Sequence, residues 1–168
     1  MNPTILVIII AAAAISGLAA IYFFRLKKRQ LIKFTVDYAK NVEQAIADCK
    51  FHFVNVDINA KNFPISSETI GKKVDIAGKL FRGFDNSKDA IRKMDKEGFR
   101  PGTLLELLAI SIAHPELQER FSIIALGSSS FDSRRVPYIY VSGYARELHL
   151  HYFSDAWSVK YCFLGVCK

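Results

Sequence analysis

MDKEGFRPGTLLELLA, residues 94–109, is the best-punctuated stretch of the chain, and its reading organises everything around it. Gly98 closes one helical pattern, Pro101 and Gly102 redirect the backbone, and Thr103 opens another helix. Upstream, Ser87 can cap a helix over residues 88–97, with Ala90, Ile91 and Met94 inward and Gly98 just past its end. Downstream, Thr103 and Glu106 form T-x-x-E, a capping box in which each side chain satisfies a backbone N–H at the helix start. That second helix is expected to bury Leu104, Leu107, Leu108 and Ile112. Structural roles account for the other residues of the turn, leaving Arg100 as the member free to touch a ligand.

Working back toward the N-terminus, residues 2–24 contain no ionisable side chain, and residues 5–24 are almost wholly apolar. Twenty such residues at about 1.5 Å each span a hydrocarbon core of roughly 30 Å. MNPT supplies no basic side chain for a secretory signal peptide, so an uncleaved transmembrane anchor over residues 1–24 is expected. A basic flank follows over residues 25–33, with Arg25, Lys27, Lys28, Arg29 and Lys33. By the positive-inside rule the N-terminus lies outside and the domain over residues 34–168 lies in the cytoplasm, a single-pass signal-anchor topology. Ala12, Ala13, Ser16, Gly17 and Ala20 make a small-residue face through which such an anchor can form a homo-oligomer.

The charge reads differently once that flank is set aside. The chain carries +7, with 23 Lys and Arg against 16 Asp and Glu. Four of the basic residues lie between positions 25 and 29, leaving 19 against 16, or +3, for the remainder. The basicity is thus weak support for a nucleic-acid partner. Three cysteines, Cys49, Cys162 and Cys167, suit reduced thiols. On one strand, Cys162 and Cys167 point to opposite faces and do not make a metal or redox pair.

Ile32, Val36, Ala39, Val42, Ala45, Ile46 and Cys49 recur every three or four residues, which predicts one amphipathic helix. FHFVNVDI (51–58) reads as a strand, NAKNFPISSETIGKK as a loop, and Val74, Ile76, Gly78 and Leu80 alternate as a second strand. Pro115 begins a short helical turn over PELQER. From Phe121 onward the period is two. FSIIAL, RRVPYIYV, RELHLHYF and SVKYCFLGVC are four strand-like runs with short links, which predicts an antiparallel meander. The expected class is α+β: about three helices packed on a mainly antiparallel sheet that ends in a four-strand meander.

VNVDINAKNFP, DAIRKMDKEGFRPGTLLELLA, PELQERFSIIALGSS, RRVPYIY and FLGVCK together resemble a family of small uncharacterised bacterial proteins. That family implies no activity. Gly98, Phe99, Arg100, Thr103 and Glu106 also resemble the turn between the first two helices of the C-type-lectin-like fold of formylglycine-generating-enzyme relatives. In this chain PG replaces that fold's LP and Leu107 replaces its tryptophan, while FLGVCK is placed like its closing strand. The copper-binding cysteines of that enzyme lie upstream of the closing strand, whereas Cys162 and Cys167 sit within it. The resemblance therefore implies the fold and not the chemistry.

No motif carries a catalytic constellation, and no cofactor is expected. His149 and His151 project from one face of a strand and, with Asp155 or His52, form the one metal candidate. Solvent-facing histidines alternating with core Leu148, Leu150 and Tyr152 explain them as well. Gly127 to Ser130, GSSS, lacks the second glycine of a nucleophile elbow and reads as a hairpin loop. Gly71–Lys73 lacks the rest of a phosphate loop. Arg100, Arg134, Arg135, Tyr138, Tyr140, Tyr144, Arg146 and Trp157 mix cations and aromatic rings as a binding surface does. The expectation is a membrane-anchored, non-catalytic binding or scaffold protein that presents its domain to a protein partner or to itself. The alternatives are a membrane-tethered hydrolase or metal-dependent enzyme, and a nucleic-acid or anionic-lipid binder.

Overall fold

Ile32 and Val36, expected at the start of an amphipathic helix, lie with Phe34 in a strand instead. The computed structural model describes residues 31–130 and 134–168, and its compact unit is Ile32–Lys168. IKFTVD forms β1 (Ile32–Asp37), with Phe34 and Val36 buried and Lys33 and Thr35 exposed. β-Branched and aromatic residues fit a pleated, half-buried surface, and the period-two reading of these six residues wins. The helix begins only at α1 (Val42–Cys49). Asn41 caps it by accepting from Gln44 N at 2.8 Å, and the Gln44 side chain accepts from Asn41 N at 2.9 Å.

The expected strand over residues 51–58 is reduced to β2 (Phe53–Val54). β3 (Lys73–Arg82) is the longest strand. α2 (Ser87–Lys96) is capped by Asn86, not Ser87, and Gly98 follows it with φ 84°, as a helix stop requires. β4 (Phe99–Pro101) leads into α3 (Leu104–Ala113), then α4 (Glu116–Arg120), which Pro115 caps. Leu104, Leu107 and Leu108 are buried as the helical period predicts, whereas Ile112 is 49% exposed.

The four downstream runs are all strands: β5 (Ser122–Ile124), β6 (Arg135–Ser142), β7 (Ala145–Tyr152) and β8 (Tyr161–Cys167). They are not a meander. The sheet order is β1-β3-β8-β5-β6-β7-β2, with β4 also on β8. The closing strand occupies the centre, antiparallel to β3 and β4 and parallel to β5. Residues 162–166 are all buried, and a near-continuous apolar run belongs in the interior of a sheet. The link over residues 153–160 therefore passes β6 and β5 before β8 begins. Trp157 pins it, its backbone N–H donating to Asp85 O at 3.1 Å and its indole N–H to Ser87 Oγ at 2.9 Å.

The expected fold class is corrected accordingly: this is a mixed α/β domain with an eight-stranded sheet and four helices among the described residues. α3 covers one face, its Leu104, Leu107 and Leu108 sharing a buried cluster with Val36 and Leu164 of the sheet and with Val42 and Cys49 of α1. α2 covers part of the other, where Phe81 packs on Phe99 and Phe84 on Phe163. Met94 lies against Gly165, whose missing Cβ leaves room for the Phe81 ring.

The membrane expectations are corrected too. Among the described residues no helix is long and apolar enough to cross a membrane. The longest, α2 and α3, have ten residues each, about 15 Å of rise against a core of roughly 30 Å. The anchor expected over residues 1–24, with Ala12, Ala13, Ser16, Gly17 and Ala20, lies outside the described residues, as do Arg25, Lys27, Lys28 and Arg29 of its flank. Lys33 is part of β1. The single-pass topology and cytoplasmic placement built on that anchor go no further.

Candidate functional site

Two places gather chemistry: an open aromatic face of the sheet and a pocket at the start of α3. The first follows from strand register. In the antiparallel β6–β7 pair, Tyr138 lies opposite His149, Tyr140 opposite Glu147 and Val136 opposite His151. Directly paired residues share a face, so these side chains form one ladder. β2 adds Phe53, opposite Glu147, to the same side.

The rings pack in sequence. Phe53 stacks on His149 at 4.6 Å, and Tyr138 stacks on Tyr140 at 5.6 Å. His151 lies 4.7 Å from Trp157, which closes the covered end of the ladder. Glu147 sits at the open end, with its Oε2 2.8 Å from His149 Nε2 and accepting from Tyr140 Oη at 2.9 Å. These contacts hold the Glu147 carboxyl below its ordinary range. The same hydrogen bond, with partial burial, raises the Tyr140 phenol. Burial, then the neighbouring Tyr161, pushes Tyr138 up to about 12. Both tyrosines are thus neutral O–H groups at physiological pH.

The two histidines are divided between different acids. His149 faces Glu147, while His151 Nδ1 lies 2.8 Å from Asp155. His52 accepts from Arg146 N at 3.0 Å. Among the described residues no three His, Cys, Asp or Glu side chains are grouped to hold a metal ion.

The eight expected binding residues do not form one surface. Tyr138 and Tyr140 are neighbours, and buried Trp157 connects to Tyr138 through the rings of His151 and Tyr161. Tyr144 is fully exposed in the β6–β7 turn. Arg146 lies on the opposite face, where it bonds Gln118 Oε1, Cys49 O and Ser111 O and stacks over Phe51. Arg135, on that face too, pairs with Asp57 at 2.9 Å. Arg134 precedes β6, and its carbonyl accepts from Phe153 N. Arg100 belongs to the pocket. Sequence reasoning missed Phe53 and Glu147, although the H-x-H alternation that singled out His149 places Glu147 on the same face.

The pocket joins two motifs that are far apart in sequence. Gly127 N donates to Gly102 O at 2.8 Å, and Leu104 N donates to Ser128 Oγ at 2.9 Å, so the GSSS loop docks on the PGT turn. Between them and the loop carrying Phe63 to Ser66 opens a cavity of about 470 Å³. Arg100 is not free there. Its Nη1 donates to Glu106 Oε2 at 2.9 Å and its Nη2 to Glu106 Oε1 at 2.5 Å.

Glu106 is fully buried and also accepts from Tyr38 Oη at 3.2 Å and Thr103 N at 2.7 Å. Burial alone would raise the Glu106 carboxyl, but the Arg100 guanidinium and the Thr103 N–H outweigh it and hold it low. Burial and the adjacent Glu106 push Tyr38 up to about 12. Nothing in the sequence pointed to Tyr38, which reaches Glu106 from 68 residues away.

Comparison with protein-family models, with curated proteins and with solved structures found no match to this chain.

Proposed function

We propose that the domain is a non-catalytic binding module that docks a protein partner on the aromatic face formed by β2, β6 and β7. The observation that carries this reading is the concentration of exposed rings and apolar groups at that end of the sheet. Phe53 is exposed on the ladder itself, and Val56 and Tyr144 are exposed in the adjoining loop and turn, three of the seven large hydrophobic residues exposed among the described residues; Tyr152, opposite Arg135, faces the other side. Tyrosine and phenylalanine are enriched at the centres of protein interfaces, and an exposed apolar concentration on a small domain marks an interaction site. The ladder is held rigid by its ring stacks and by Glu147, so little side-chain entropy is lost on docking.

A photo-cross-linking residue at position 53 or 140, in cells producing the full chain, tests the reading. The same discrete protein adduct from both positions, and none from position 112 on α3, is the expected result. Substitution of Tyr138 by alanine should reduce its yield. Only monomer from positions 53 and 140 would refute it, whereas an adduct of twice the chain's mass would identify the partner as a second copy.

A further inference from the structure

The pocket at the start of α3 carries an inference independent of the aromatic face. Arg100 has five N–H donors, and Glu106 and Pro101 O take three of them through Nη1 and Nη2. The edge formed by Nε and the second Nη2 hydrogen makes no hydrogen bond among the described residues, and the side chain is 42% exposed. Glu106 thus holds a guanidinium that presents a second two-donor fork.

The other polar groups in the cavity also donate. Ser128 Oγ accepts from Leu104 N, which leaves its own O–H available. Tyr38 and Glu106 are already committed to each other and to Arg100. The remaining wall is mostly apolar, with Val42, Phe63, Ile65 and Leu105, apart from exposed Ser66 and from Thr69, whose hydroxyl donates to Ser66 O. A donor-rich end and an apolar body in a cavity of this size suit a ligand with an acceptor-only head.

We propose that this pocket binds a small organic carboxylate with an apolar tail, its head on the open fork of Arg100 and the Ser128 hydroxyl. A planar guanidinium matches carboxylate geometry with two parallel hydrogen bonds, and charge assistance makes them about twice as strong as neutral ones. The charge of Glu106 is answered by Arg100, Tyr38 and Thr103 N, and the positive end of the α3 dipole offsets the second carboxylate.

Octanoate and octanamide, titrated into the full chain, test the proposal by calorimetry and by the Arg100 Nε–Hε nuclear magnetic resonance signal. Octanoate is expected to bind saturably and shift that signal, with octanamide about tenfold weaker. Ser128→Ala should weaken octanoate severalfold. Ser66→Trp, an exposed loop position at the mouth of the cavity, should abolish binding without disturbing the fold. Absence of saturable octanoate binding, equal binding of the amide, or binding unaffected by Ser66→Trp would each overturn it.

Discussion

Arg100 grips Glu106 with both terminal nitrogens, at 2.9 and 2.5 Å, from a strand onto the first turn of the following helix. One carboxylate therefore serves as the helix cap, the partner of a half-exposed arginine and the acceptor for Tyr38 Oη. These roles tie together β1, β4 and α3, which meet at the pocket.

Arg100→Met should leave the buried Glu106 carboxylate without its charge partner and cost about 3 kcal/mol at pH 7, the low end for a buried pair because Arg100 is half solvated and Tyr38 and Thr103 N still donate. In the wild type the folded Glu106 carboxyl is held low. Its stabilising contribution is thus complete above the unfolded value of about 4.3 and lost as pH falls through the folded one. In the variant only the neutral donors Thr103 N and Tyr38 Oη oppose burial, so the folded value is higher than in the wild type and the penalty shrinks on acidification. Urea midpoints measured from pH 7 to pH 4 should converge for the two proteins. A gap independent of pH would show that Glu106 is not the group responsible.

Gly127→Ala should be costly although the change is a single methyl. A Cβ there would lie 2.5 Å from Pro101 O and 2.8 Å from Gly102 O, both of them backbone atoms. A loss of about 1–3 kcal/mol is expected from forced displacement of the turn. Ser128→Ala removes the acceptor for Leu104 N and should cost about 1 kcal/mol. Thermal melts of the two variants separate the effects, and an unchanged Gly127→Ala midpoint would contradict the close approach.

Trp157 is the single tryptophan and reports on the long link into β8. Trp157→Phe loses the hydrogen bond to Ser87 Oγ and should cost about 1 kcal/mol, whereas Trp157→Ala should cost about 3–5 kcal/mol. Chemical denaturation followed by circular dichroism gives both values. Equal losses for Phe and Ala would mean that the ring itself contributes no packing.

Thiol reactivity provides a direct check on the sheet order. Cys49 and Cys162 are buried, and burial pushes the Cys162 thiol up to about 11. Only Cys167, at the end of β8, is partly accessible. A thiol reagent at neutral pH should modify one cysteine rapidly and the other two only on unfolding. Rapid modification of Cys162 would place β8 at an edge rather than at the centre.

Much of this domain is written locally. The cap at Thr103 and Glu106, the stop at Gly98 and the four downstream strands depend on residues a few positions apart, and all are found where their spacing puts them. Ile32 and Val36, four residues apart, fit a helical period, and with Phe34 between them they also fit a strand; pairing with β3 decided for the strand. Short links suggested a meander, but hydrophobic burial on both faces drew residues 162–166 into the middle of the sheet.

Local signals were enough for the helices over 87–96 and 104–113, the four downstream strands and the turn residues between them, because caps, glycine conformations and side-chain periods act over one or two turns of chain. Strand order, the strand at residues 32–37, the convergence of Arg100 and Tyr38 on Glu106, and the ladder of Phe53, Tyr138, Tyr140 and His149 arise from long-range packing. Those contacts join residues far apart along the chain, and they form only when burial of the whole sheet outweighs the entropy of bringing the segments together.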